Sequence, residues 1–136
     1  MSIDWTSATA PDLAAFERLA DEAFERLPPS FRELARSAVL RIDDFPSEEV
    51  CRELEAESEF DLLGLFTGVG LAHAEAVPAT GRTPNIVHLY RRPILDYWAE
   101  HEETLGAIVA HVLIHEIGHH LGLSDDDIDQ IEQDAA

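Results

Sequence analysis

Apolar residues recur at helical spacing through Leu13, Phe16, Leu19, Ala20, Ala23, Phe24 and Leu27, and the run stops at Pro28-Pro29. This spacing predicts an amphipathic helix that packs one face on a core, with Pro11 in its first turn. Phe31, Leu34 and Ala35 predict a shorter second helix. From Ala38 to Asp43, Val39 and Arg41 alternate with Leu40 and Ile42, the period of two that a strand requires. Pro46-Ser47-Glu48-Glu49 opens another helix, carrying Val50, Cys51 and Leu54. Leu62 to Phe66 is a short apolar strand closing at Thr67-Gly68, and Ile86 to Tyr90 has the β-branched and aromatic content of a further strand. Between them, Gly68 to Asn85 reads as loop, ending in Ala79-Thr80-Gly81-Arg82-Thr83-Pro84.

After Pro93 a helix is predicted through Tyr97 and Trp98, followed by a long one with Glu102 or Glu103 in its first turn and its end near Leu121. Leu105, Ile108, Val109, Val112, Leu113 and Ile117 form the buried stripe of that long helix, while His111, His115 and His119 run along another face. No internal repeat is present.

The chemistry concentrates at the end of this helix. Residues 115 to 125 read His115-Glu116-Ile117-Gly118-His119-His120-Leu121-Gly122-Leu123-Ser124-Asp125, an H-E-x-x-H-x-x-G-x-x-D pattern whose His-Glu-x-x-His kernel is a zinc-hydrolase signature. Side chains four apart on a helix share a face, so His115 and His119 can grip one ion. Glu116 points about 100° around the helix and can take a proton from a metal-activated water as general base. Gly122 can adopt positive φ, end the helix and turn the chain, which lets Asp125 return as third ligand. Two imidazoles and one carboxylate leave a fourth position for water, as in catalytic zinc sites. Asp125 has a second reading: Ser124-Asp125-Asp126-Asp127 before Ile128 fits a helix cap with acidic residues complementing the dipole. Both roles are compatible, and Asp126 is the substitute ligand. His111 is assigned to the surface or to the surroundings of the site, because three successive turns do not readily converge on one tetrahedral ion. His120 is assigned neither ligation nor catalysis.

The extended motif resembles the zincins, and the metzincins among them, with Asp125 where a third His is usual. A nearer resemblance is to the small bacterial zincin-like metallopeptidases, which share the H-E-x-x-H-x-x-G-x-x-D pattern. Leu27-Pro28-Pro29-Ser30-Phe31, Leu62-Leu63-Gly64-Leu65-Phe66-Thr67-Gly68 and Ile86-Val87-His88-Leu89-Tyr90-Arg91-Arg92-Pro93 look like that family too. The resemblance implies helices against a small β-sheet, zinc at His115, His119 and Asp125, and the base at Glu116. No Met follows Asp125, so the Met-turn that underlies the metal in metzincins is absent.

Composition narrows the alternatives. At 136 residues and 46% hydrophobic, the chain suits one globular domain, residues 1–136. No eighteen-residue apolar run and no basic-then-apolar leader occur, so a cytoplasmic protein without a membrane partner is expected. Cys51 is alone, which excludes an intrachain disulfide and a Cys-based zinc site and suits a small buried hydrophobe. The net charge of -19 argues against nucleic acid, whose binding proteins neutralise phosphates with basic residues, and would steer a cationic peptide or protein inward. The dense carboxylates Glu48, Glu49, Glu53, Glu55, Glu57 and Glu59 read as a solvated helix face. All nine basic residues are arginine, which points to a GC-rich bacterial genome.

The expectation is therefore a single-domain α+β, zincin-like fold: a mixed sheet of about three strands packed by helices, with the long active-site helix near the C-terminal end. Its activity is expected to be zinc-dependent (Zn2+) peptide hydrolysis. A peptidase also needs an oxyanion donor and a strand edge for the substrate; Tyr90, His88 and Arg91 are candidate donors by chemistry, although Tyr90 equally suits packing with its hydroxyl at the surface. The rival readings are a metal-stabilised protein-interaction module without enzymatic activity, and a zinc endoribonuclease on a His-x-x-x-His core. No His follows His120 to complete the latter, and the acidity opposes RNA.

Overall fold

Most helix starts among the described residues are set by short polar side chains: Asp12, Ser47, Thr104 and Ser124 each accept a backbone N–H of the helix that follows. The computed structural model describes residues 3–68 and 85–135. Asp12 accepts the Ala15 N–H at 2.8 Å and so starts helix α1, Leu13–Glu25. Pro11 therefore precedes the helix and is not in its first turn. There follow α2 (Pro29–Ala35), strand β1 (Val39–Asp43), α3 (Glu48–Glu53), β2 (Gly64–Thr67), β3 (Ile86–Tyr90), α4 (Arg91–Glu100), α5 (Leu105–Leu121) and α6 (Asp125–Ala135). The loop expected between Gly68 and Asn85 lies, apart from its two ends, outside the described residues.

Two further helices begin at other residues than expected. Thr104 accepts the Ala107 N–H at 3.2 Å and caps α5, so Glu102 and Glu103 stand before the helix. Helix α4 starts at Arg91, with Pro93 buried inside its first turn, where a missing N–H costs nothing. Arg91 secures this start: it donates to the Pro11 carbonyl at 2.7 Å and to the Asp44 carboxylate at 3.0 Å. The Cys51 thiol is free and only half-buried.

The sheet has the order β1-β3-β2. Strand β1 runs parallel to β3 from Val39↔Ile86 to Asp43↔Tyr90, and β2 runs antiparallel from Gly64↔Leu89 to Thr67↔Ile86. The most apolar strand takes the middle: Val87, Leu89 and Tyr90 are buried, whereas Val39 on the β1 edge is exposed. The fold is thus α+β with a small mixed sheet.

Helix α5 packs on that sheet, on α1 and on α6. Its Ile108, Val109, Val112, Leu113, Ile114 and Ile117 meet Phe16, Ala20, Leu27 and Leu89 in one core. Ile114 widens the expected stripe to a helix covered on most of its circumference. Gly122 ends α5 in the left-handed region, φ 72°, and Leu123 N–H reaches the Gly118 carbonyl at 2.9 Å. The chain then doubles back into α6. Gly118 lets the two helices touch, for a Cβ there would lie 2.5 Å from Ile128 Cδ1 and Cγ1. No helix among the described residues is long and apolar enough to cross a membrane.

Candidate metal centre

His111, His115 and His119 stand one turn apart on α5. The middle one is the informative one: His115 Nε2 is buried and has no hydrogen-bond partner. A buried polar atom left unpaired costs about 1–3 kcal/mol, so the arrangement calls for a group that accepts the nitrogen's lone pair or its proton. Glu132 Oε2 lies 3.8 Å from it. This is too long for a hydrogen bond and suits two ligands of one ion, because donors about 2.0–2.2 Å from a tetrahedral zinc stand roughly 3.3–3.6 Å apart.

Glu116 occupies the flank of α5 that faces the sheet. Its side chain is 15% exposed, and His119 Nδ1 lies 3.5 Å from Oε2. Burial pushes the Glu116 carboxyl above the ordinary carboxylate value, while the His119 imidazole and the hydrogen bond from the Phe66 backbone N–H pull it back. Gly64 makes this proximity possible. A Cβ at residue 64 would fall 2.5 Å from Val112 Cγ1, 3.0 Å from the His88 carbonyl and 3.3 Å from Glu116 Cγ. Helix α5 can therefore press Glu116 against β2.

Asp125 is exposed at the first position of α6. Ser124 Oγ accepts the Asp127 N–H at 3.2 Å, so Asp125, Asp126 and Asp127 fill the first helical turn and complement its dipole. Among the described residues, the His/Cys/Asp/Glu group able to hold an ion is His111, His115 and Glu132, with one ligand atom of each within 4.8 Å of the others; the structure does not gather His115, His119 and Asp125 in this way. The geometry follows from the helix pair. Ile128 seats on Gly118, and one turn later α6 delivers Glu132 to the place that α5 reaches one turn earlier, between His115 and His111. Glu132 Oε1 contacts His111 Nδ1. Glu132 escaped the sequence reading, although its position four residues after Ile128 puts it on the same face of α6. His111 is indeed half-exposed, yet it belongs to this cluster.

The strand residues also find places. His88 accepts from or donates to Thr67 Oγ1 at 3.0 Å and stacks on Tyr90 at 6.1 Å between centroids. Burial lowers the His88 pKa, with Asp43 opposing and Arg41 reinforcing. Tyr90 is buried rather than surface-facing, and burial pushes its phenol up to about 12, helped by Asp43, Cys51 and Glu116. It stays protonated at neutral pH, as a donor must. Arg91 is committed to Pro11 and Asp44. His120 is fully buried, its Nε2 3.0 Å from Ser37 Oγ and its ring against Phe66, and burial lowers its pKa.

The family model described as zincin-like metallopeptidase matches residues 35–135. The chain belongs to this family. No curated protein matches it. In this zincin-like metallopeptidase the matched span takes in the sheet and α3 to α6, hence the whole H-E-x-x-H segment and Glu132; α1 and nearly all of α2 lie outside it. Membership carries a metallopeptidase kind of function, in a family that typically binds zinc. The donors fit such an ion: imidazoles one turn apart, a carboxylate from the next helix, and a buried nitrogen without a partner.

Proposed function

We propose that the chain is a zinc-dependent peptidase in which Glu116 is the general base and His115, His119 and Asp125 hold the metal. The observation that carries this reading is Glu116 itself. It is a carboxylate lifted above its ordinary pKa by burial, held by a backbone N–H, and placed between two histidines of the signature motif. A base for water chemistry works best with a pKa drawn toward the operating pH.

Zinc, when bound, supplies a Lewis acid and lowers the pKa of a water to about 7. The protein's own groups manage protons and substrate. Glu116 accepts a proton from the attacking water and delivers it to the amine nitrogen as the C–N bond breaks; the water's oxygen ends in the new carboxylate, and its second proton passes to the same nitrogen, which leaves as an ammonium. Tyr90, protonated and electrostatically coupled to Glu116, is the donor we assign to the developing oxyanion. The substrate would lie along β2. Tyr90 N–H donates to the Leu63 carbonyl at 3.0 Å, so Leu63, Leu65 and Thr67 face β3, and antiparallel alternation turns the main-chain groups of Gly64 and Phe66 outward from the β2 edge, which no strand pairs among the described residues. The Phe66 N–H bonded to Glu116 agrees with that alternation. A substrate rich in Arg or Lys suits a chain of net charge -19.

Incubating zinc-loaded protein with a mixed-sequence peptide library, with cleavage read by mass spectrometry, tests the proposal. Cleavage should fall by about 10²- to 10⁴-fold in Glu116→Gln while zinc content is retained. Inertness of the zinc-loaded wild type toward every peptide would instead favour the metal-stabilised interaction module.

A further inference from the structure

His111, His115 and Glu132 do more than neighbour the motif. We infer that they form a metal seat of their own, adjoining the motif's ligands and sharing His115, which takes a divalent transition-metal ion such as zinc.

Three independent features meet there. The first is donor type: two imidazoles and one carboxylate, the set that zinc, iron and nickel accept. The second is proximity without assembly by the motif. The ligand atoms lie within 4.8 Å of one another, the His111 and His115 ring centroids are 4.3 Å apart, and the two histidines share the four-residue spacing of His115 and His119. The third is His115 Nε2, buried and unpartnered, facing Glu132 Oε2 at 3.8 Å. His111 and Glu132 also line a groove between α1 and α5, bounded by Leu19, Ala23, Gly106 and Ala110, which gives an ion a path from solvent. The seat is built by helix docking: Gly118 admits Ile128, and α6 thereby carries Glu132 to α5.

The inference stands apart from the peptidase reading, because it needs neither Glu116, His119 nor Asp125. It does constrain that reading. The lone pair of His115 Nε2 serves one ion at a time, so an ion between α5 and α6 withdraws His115 from His119. The two seats exclude each other, and the chain binds one ion through His115 whichever is filled.

Zinc affinity measured by competition with a chromogenic chelator, on wild type, on His119→Asn, and on His119→Asn combined with His111→Asn, Glu132→Gln or Glu132→His, tests the seat. Glutamine keeps the length of Glu132 and can still hydrogen-bond His111 but is a poor ligand, whereas histidine can ligate. Circular dichroism of the metal-free variants checks folding, and cobalt substitution gives a visible spectrum that reports ligand number. The expected result is zinc and cobalt binding that persists in His119→Asn, falls at least tenfold further when His111→Asn or Glu132→Gln is added, and recovers when Glu132→His takes their place. Loss of zinc binding in His119→Asn, or residual binding there that neither His111→Asn nor Glu132→Gln weakens, would overturn the seat and leave the motif's ligands standing. Absence of zinc binding in the wild type would overturn the seat and the zinc-peptidase reading together.

Discussion

At the scale of single residues, the sequence named the chemistry better than the contacts. His115, Glu116 and His119 are recognisable because helical geometry makes a four-residue spacing a shared face. What spacing cannot convey is where a third ligand comes from. Asp125 is four residues past a helix end, and its course depends on whether Ser124 caps the next helix at once; it does, at 3.2 Å from Asp127 N–H. Burial is equally tertiary. Tyr90 reads as a packing residue with its hydroxyl at the surface; it does pack, but the whole residue is buried, only 3% exposed. His88 gives a testable consequence of burial. Its neutral form is favoured in the fold, so its folded pKa lies below the ordinary histidine value of about 6.5. Below that value the unfolded chain binds more protons, so the stability His88 contributes is complete above pH 6.5 and is lost as pH falls toward the folded value. Metal-free protein should therefore melt at a lower temperature at pH 5.5 than at pH 7.5. His88→Gln, which can still hydrogen-bond Thr67, should narrow that difference; an unchanged difference would remove His88 as a source.

At the scale of elements, periodicity was a sound guide to what each segment is and a poor one to its limits. The three strands and helices α1 to α5 rest on segments visible as apolar patterns, such as Leu13 to Leu27 and Ile86 to Tyr90, whereas α6 was signalled by its cap at Ser124. Boundaries shifted where a hydroxyl or carboxylate capped the backbone: Thr104 displaced Glu102 and Glu103 from α5, and Asp12 displaced Pro11 from α1. The order β1-β3-β2 was not legible, because a mixed sheet depends on which strand the helices cover. Nor was the α5 and α6 docking, although Gly118 and Ile128 carry it. Gly118→Val should cost about 1–3 kcal/mol, since its side chain must displace Ile128, and should also weaken metal binding through Glu132. Thermal melts with and without zinc would show both; a variant with wild-type melting and zinc affinity would mean that the helices do not depend on this contact.

For the molecule as a whole, charge and family act together. A net charge of -19 over 136 residues creates an attractive field for cations that salt screens within about 8 Å at physiological ionic strength. Cleavage of Arg-rich or Lys-rich peptides should accordingly slow by severalfold between low and high salt, more than cleavage of neutral ones; equal salt dependence would dissociate substrate choice from net charge. The central claim is that this zincin-like metallopeptidase hydrolyses peptide bonds with a zinc-activated water and Glu116 as base. Cleavage in water enriched in oxygen-18 tests it most directly, with zinc-loaded, chelator-stripped and zinc-restored wild type beside Glu116→Gln. The account predicts one oxygen-18 in each new carboxyl terminus, loss on stripping, recovery with zinc and near-silence of the variant. Cleavage that survives stripping, or that Glu116→Gln performs as fast as the wild type, would contradict it.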